Sequence, residues 1–124
     1  MSESLYYSIG QFSKMTDLSI DTLRYYEKEK LIYPTRNSSN QRCYTTKDLA
    51  WINFIIKLKK TGMDIKHIRE YAQLRYQGNS TIPQRLKLLF EQLDNLHQQE
   101  SHLENNITFI EDKIKTYLQI TNML

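Results

Sequence analysis

Residues 8–29 read SIGQFSKMTDLSIDTLRYYEKE, two short apolar-periodic runs separated by Thr16-Asp17-Leu18. Ser8 precedes Ile9, Phe12 and Met15, and Gln11 stands three residues after it. That is the spacing of a capping box, in which the hydroxyl takes a free backbone N–H of the first turn and the glutamine reaches back. Thr16, Asp17 and Leu18 read as a turn. A second helix is expected from about Ser19 to Glu29, with Ile20, Leu23 and either Tyr26 or Tyr25 inward. Two short helices across a tight turn make a helix-turn-helix.

Leu31-Ile32-Tyr33-Pro34 leaves the second helix, because Pro34 forbids its continuation. Arg36-Asn37-Ser38-Ser39-Asn40-Gln41 is a polar turn cluster. Flanked by Ile32-Tyr33 and by Arg42-Cys43-Tyr44, it predicts a small β-hairpin, or wing. Thr45, with Asp48 three residues on, opens a third helix to Lys60. Its apolar face is Leu49, Ile52 and Ile55 or Ile56, and Lys59 and Lys60 suit the negative end of its dipole. Gly62 provides the stop. Asp64 caps a fourth helix through about Tyr76, with Ile65, Ile68, Tyr71 and Ala72 inward.

Gly78-Asn79-Ser80 is the one linker-like stretch. Beyond it Thr81 and Gln84 again have capping-box spacing, with Pro83 in the first turn where it is tolerated. A long helix is expected to about Leu118. Eleven of its positions repeat with strict 4-3 spacing: Ile82, Leu86, Leu89, Leu93, Leu96, Glu100, Leu103, Ile107, Ile110, Ile114 and Tyr117. One helix cannot bury such a seam against itself. A second similar helix is required, and the simplest donor is another copy of the chain. Glu100 inside the seam is a register, pairing or splay position.

Charge is divided along the 124 residues. Met1–Tyr76 holds 13 Lys and Arg against 8 Asp and Glu, a net of +5; Gln77–Leu124 holds 4 against 6, a net of −2. The first part suits a polyanion and the second a protein partner, although +5 is also within the range of ordinary surfaces. One cysteine, Cys43, rules out an internal disulfide framework and fits a reducing cytoplasm. No stretch approaches the roughly 20 apolar residues of a membrane span. The acidic start, Met1–Tyr7, has no apolar run of a leader. There is no Gly-rich phosphate loop, no nucleophile with a base and no carboxylate pair in context, so no enzyme is read.

Thr22-Leu23-Arg24-Tyr25-Tyr26-Glu27 is the string that carries chemistry. On a helix, Arg24 and Tyr25 can face out while Leu23 and Tyr26 face the core. Hydroxyls for base edges, an arginine for guanine or phosphate and a phenol for phosphate are what a helix in the major groove needs. In the structural alternative both tyrosines are core residues and Arg24 pairs with Glu27.

The order of the motifs adds to this. Tyr7-Ser8-Ile9-Gly10-Gln11-Phe12, Thr22-Leu23-Arg24-Tyr25-Tyr26-Glu27, Leu31-Ile32-Tyr33-Pro34-Thr35-Arg36, Arg42-Cys43-Tyr44, Leu49 and Thr61-Gly62-Met63-Asp64-Ile65-Lys66-His67-Ile68 follow one another. Over about residues 6 to 76 this set resembles the MerR family of bacterial transcriptional regulators. The resemblance implies a winged helix-turn-helix dimer on a palindromic promoter. Members bind an over-long spacer between two promoter elements, and untwist and kink it so that RNA polymerase can use both. By matching position, the helix Ser19–Glu27 would present Thr22, Arg24 and Tyr25 to DNA, Arg42 and Tyr44 would lie on the wing, and Lys60 near phosphate. The resemblance also implies an antiparallel sense for the coiled coil.

Three departures from the family pattern stand out. Lys30 replaces the usual Gly before Leu-Ile, and Asn40 stands near the usual wing Gly; a left-handed backbone costs Lys more than Asn. The third concerns sensing. The places where metal-responsive relatives carry Cys hold Ser80, Thr81 and Tyr117–Met123, and His97 and His102 do not share a helix face, so no metal is expected. The chain is similar to the short, thiol-sensing branch through Trp51-Ile52-Asn53-Phe54-Ile55 and Thr61-Gly62-Met63. Its sensor Cys position holds Lys57 or a neighbour, and Cys43 lies on the wing instead. A small apolar ligand walled by Tyr71, Leu74 and Tyr76 is left open.

The reading is therefore a mainly α protein. Residues 1–76 form a winged helix-turn-helix DNA-binding domain, 77–80 a linker, 81–118 an antiparallel coiled-coil dimerisation helix and 119–124 a tail. DNA contacts are expected from Ser19, Thr22, Arg24, Tyr25, Arg42, Tyr44 and Lys60. Dimerisation is expected from Leu86, Leu89, Leu93, Leu96, Leu103, Ile107, Ile110 and Ile114. The expected partners are double-stranded promoter DNA, a second copy of the chain and, through the DNA, RNA polymerase, in the cytoplasm and without a membrane or a cofactor. The effector is open. The alternatives are an effector-independent architectural DNA-binding protein and a coiled-coil adaptor docking on an acidic protein.

Overall fold

A computed structural model describes residues 6–123, so the Met1–Tyr7 leader expectation and the last residue of the tail fall wholly or partly outside the described residues. Five helices and a two-stranded wing follow in order. They are α1 (Ile9–Thr16), α2 (Ile20–Lys28), β1 (Thr35–Arg36), β2 (Arg42–Cys43), α3 (Thr46–Lys60), α4 (Ile65–Gln77), a 3-10 turn (Asn79–Thr81) and α5 (Ile82–Met123). The chain divides into two compact units, the first through Leu88 and the second from Leu89.

The starts of α1 to α4 each carry their own cap. Ser8 Oγ accepts from Gln11 N–H at 3.1 Å while Gln11 Oε1 accepts from Ser8 N–H at 2.9 Å. Ser19 caps α2 through Thr22 N–H, and Thr45 with Asp48 closes a second reciprocal box on α3. Asp64 caps α4 through His67 N–H at 2.8 Å. That backbone bond, helped by the His67 ring, holds the Asp64 carboxyl below its ordinary range.

The core gathers Phe12 of α1, Leu23 and Tyr26 of α2, Leu31 and Ile32, Ile52 and Ile55 of α3, and Ile68 of α4. Each fully buried large apolar side chain contributes about 1.5–3 kcal/mol relative to exposure. Between the two tyrosines of α2 the burial is unequal: Tyr26 faces the core and Tyr25 faces solvent. Ile20, expected inward, is exposed on the first turn of α2. Trp51 and Leu58 join the buried face of α3, while Leu49 and Ile56 are half-buried.

Three expectations need correction. The first wing strand is Thr35–Arg36, not Ile32-Tyr33. Ile32 is wholly buried, and Pro34, with no N–H for a ladder, separates it from the hairpin. Thr81 forms no box with Gln84. Its hydroxyl turns back onto the carbonyls of Leu74 and Gly78, and Arg85 reaches both Thr81 Oγ1 and Gly78 O. Gly78-Asn79-Ser80 is accordingly a folded elbow, with Gly78 at φ 104°. The last helix also runs past Leu118 to Met123, since no Gly or Pro interrupts Gln119–Met123.

The second unit is helix alone. Leu93 is 46% exposed and Ile110 58%, and Leu103, Ile107 and Ile114 are open as well. Leu89 and Leu96 are half-buried. Glu100 of the seam faces His97 of its own helix at 3.5 Å, both exposed. Among the described residues no helix is long and apolar enough to cross a membrane.

The end of α2 shows what the Lys30 replacement costs. Leu31 N–H reaches Tyr26 O at 2.9 Å and Lys30 N–H reaches Glu27 O at 3.0 Å, the two bonds of a Schellman closure. Lys30 is its left-handed residue, at φ 62°. A side chain there costs on the order of 1 kcal/mol that glycine avoids. Lys30→Gly is expected to raise the thermal midpoint; an unchanged or lower midpoint would mean that the lysine side chain contributes more than the strain removes.

Candidate nucleic-acid interface

The outward face of α2 begins with two hydroxyls tied to each other. Ser19 Oγ donates to Thr22 Oγ1 at 2.8 Å. One turn on, Arg24 sits 3.6 Å from Asp21, with its side chain 55% exposed. It does not pair with Glu27, as the structural alternative had it. Tyr25 is exposed beside Arg24, while the hydroxyl of Tyr26 lies inward and accepts from Lys59 Nζ at 3.3 Å.

Glu27 turns the other way and holds the wing. Arg42 Nε donates to its Oε1 at 2.5 Å, and an Arg36 terminal nitrogen donates to Oε2 at 3.1 Å. Arg36 and Arg42 are direct partners in the two-stranded ladder. Like charges opposite one another destabilise a hairpin. The carboxylate between them converts that repulsion into a three-group network bonding the wing to α2. The wing tip is ordered by Asn37, whose Oδ1 accepts from Ser39 N–H and Gln41 N–H, both at 2.9 Å. Asn40 takes the left-handed conformation at φ 59°.

The arginines converge. Arg24, Arg36 and Arg42 line one groove of about 520 Å³, with Ser8 and Ile9 at the start of α1, and Asn37, Asn40, Gln41 and Cys43 of the wing. Two of the three share the Glu27 carboxylate, which leaves a net positive charge on that network, and guanidinium forks match phosphate oxygens. Cys43 is free and half-buried there, with its Sγ 3.7 Å from Gln41 O. A second recess, of about 440 Å³, lies beside the turn between α1 and α2, lined by Thr16, Asp17, Leu18, Asn53, Ile56, Lys57 and Lys60. Both lysines are exposed.

Of the residues expected at DNA, Ser19, Arg24, Tyr25 and Lys60 are exposed, and Thr22 and Arg42 half-buried. Tyr44 requires correction. Its ring is 0% exposed and stacks on Phe12 at 4.3 Å and 7°. Its backbone exchanges hydrogen bonds with Tyr7 at 2.8 and 2.9 Å. The bridge to Tyr7 and the stack on Phe12 place Tyr44 in the core, while Arg42 and Cys43 line the groove. Among the described residues its hydroxyl has no hydrogen-bond partner, and burial pushes its pKa up to about 12, so it remains a neutral phenol. Arg36 and Lys57 were missed. The signal for Arg36 was its place opposite Arg42 across the polar turn; for Lys57 it was one helical turn separating it from Lys60.

The expected ligand walls, Tyr71 and Tyr76, meet on Trp51. Tyr71 stacks on its indole at 6.1 Å and 14°, and Tyr76 meets it edge-on at 6.2 Å. Leu74 is half-buried and its carbonyl is taken by Thr81. Among the described residues no three His, Cys, Asp or Glu side chains are grouped to hold a metal ion.

Comparison with known proteins gives consistent matches. Residues 7–74 match the family described as MerR HTH family regulatory protein. An HTH-type transcriptional regulator of Haemophilus influenzae is 33% identical over 112 residues, which span 90% of this chain and 83% of that protein. The crystal structure of HiNmlR, a MerR family regulator lacking the sensor domain and bound to promoter DNA, has a TM-score of 0.74. It is 32% identical, covering 93% of this chain and 92% of that one. A MerR family regulator of Bacillus thuringiensis has a TM-score of 0.70 at 37% identity, covering 90% of this chain and 99% of that one.

The network at Glu27 can be tested by a double-mutant cycle with Glu27→Gln and Arg42→Ala, read by chemical denaturation. A coupling of on the order of 1 kcal/mol is expected, shrinking at high salt. Additive losses at every salt concentration would mean that Glu27 does not hold the wing.

Proposed function

Since this chain belongs to the MerR family of transcriptional regulators, we propose that it binds a palindromic promoter as a homodimer and changes transcription by distorting the DNA between the half-sites. The observation that carries the reading is the convergence of Arg24, Arg36 and Arg42 on one groove between α1, α2 and the wing. DNA binding is assigned to residues 1–76 and dimerisation to 81–118. α2 enters the major groove with Ser19, Thr22, Arg24 and Tyr25. Arg42, now joined by Arg36, meets backbone from the wing, and Lys60, joined by Lys57, from α3. Tyr44 supports the wing from beneath. The bound promoter DNA of HiNmlR supports this assignment by likeness. RNA polymerase is met through the distorted promoter. The chain acts in the cytoplasm as a regulator without catalytic activity.

The exposed apolar positions of α5 support the dimer. Leu86, Leu93, Leu103, Ile107, Ile110 and Ile114 are all open in the single chain. A second copy, antiparallel, covers them.

Arg24→Ala is expected to weaken operator binding by about 1–3 kcal/mol with relaxed preference at one position per half-site, as for a base-reading arginine. Selection on randomised half-sites reads this directly. Unchanged affinity and preference would remove α2 from the major groove. Lys60→Ala is expected to weaken operator and random duplex alike, and to flatten the log K against log salt slope by about 0.9 per lost phosphate contact. An unchanged slope would take Lys60 off the backbone.

Leu93→Asp is expected to give monomers in sedimentation equilibrium, because a charge in an apolar seam costs several kcal/mol. An unchanged dimer mass would discard the seam.

A further inference from the structure

Arg75, in the last turn of α4, is held by two aromatic rings and by no carboxylate among the described residues. Its guanidinium carbon lies 4.3 Å from the Trp51 ring centre and 5.0 Å from that of Tyr76. The two rings meet at 83°, so they form adjoining walls of a corner. Tyr33 braces the outer wall, edge-on to Tyr76 at 4.5 Å. Aromatic faces are negative, and a corner of two faces attracts a weakly hydrated planar cation more than one face does. Tyr33 and Tyr76 are exposed, so the corner is reached from solvent; Trp51 is buried with Arg75 across its ring.

We propose that the Trp51–Tyr76 corner is a binding site for a small planar organic cation of the alkylguanidinium or amidinium class, for which the Arg75 side chain is the resident stand-in. The ligand displaces Arg75 into solvent on its flexible stem and takes over the ring contacts that Arg75 gives up. Both walls are bonded to the segment between α2 and the wing. Trp51 Nε1 donates to Leu31 O at 2.7 Å, and Tyr33 N–H donates to Tyr76 Oη at 3.2 Å. A cation in the corner therefore presses on the groups that hold this segment. The site stands on its own geometry, independent of the DNA contacts assigned above.

Trp51 is the only tryptophan of the chain, so its fluorescence reports the corner. The full chain and Arg75→Ala are titrated at constant ionic strength with n-propylguanidinium and with its neutral planar counterpart n-propylurea. A saturable fluorescence change is expected for Arg75→Ala with n-propylguanidinium. Its affinity should exceed that for n-propylurea, and that of the parent chain, by about tenfold, the scale of a desolvated cation–π contact. Adding Tyr76→Leu should abolish the binding while far-ultraviolet circular dichroism stays helical. If Arg75→Ala fails to fold, Arg75→Gln takes its place under the same criteria. The absence of saturation, equal response to the two probes, equal response of parent and variant, or binding that survives Tyr76→Leu would each overturn the site.

Discussion

Two arginines face each other across the wing, and the carboxylate of Glu27 lies on both. Without it, Arg36 and Arg42 would repel on a hairpin whose strands are only two residues long. Such a short hairpin cannot order itself in water. With the carboxylate in place, the wing is fixed to the last turn of α2, and the groove between them takes its shape. The outward arginine of α2 and the two of the wing then present guanidinium groups to one space. Positive charge that is positioned in this way can select a polyanion of defined geometry. The same charge on a mobile loop would only attract one.

The segment that follows α2 has the opposite character. Leu31 and Ile32 are wholly buried, and the chain turns into them through a left-handed lysine. Arg69 of α4 binds both the carboxylate and the carbonyl of Glu29. Trp51 and Tyr76 hold Leu31 and Tyr33. The end of α2 is thus tied to α3 and α4 through groups that also build the aromatic cluster around Arg75. Burial pushes the Tyr76 phenol above its ordinary range, and the Tyr33 N–H that it accepts pulls the other way. Any event at that cluster acts on a backbone with few ways to relax.

Beyond Leu88 the physics changes from core packing to an unmet demand. The helix from Leu89 onward carries leucine and isoleucine every three or four residues, and most of them stand open. Helical stability in proteins comes largely from tertiary burial of such a face. The exposed stripe therefore calls for a covering helix of similar pattern, which the proposed dimer would supply.

Local chemistry settled much of this molecule from the sequence alone. Ser8 with Gln11, Thr45 with Asp48, and Asp64 announce helix starts because a cap is a contact between residues three apart. The 4-3 repeat announces the long helix because its period is that of the helix itself. Lys30 and Asn40 were expected to be left-handed only through the family resemblance, because glycine usually stands at or near their places; both take positive φ. Partners from distant parts of the chain were not legible. Nothing near Glu27 in sequence says that it will hold Arg36 and Arg42 rather than Arg24, and nothing beside Tyr44 says that its ring will stack on Phe12 instead of facing outward. Thr81 read as a cap for the helix ahead and became a fastener for the helix behind. Spacing along a chain determines which side chains share an element's face, whereas the packing of one element on another decides which face is buried and which charges meet.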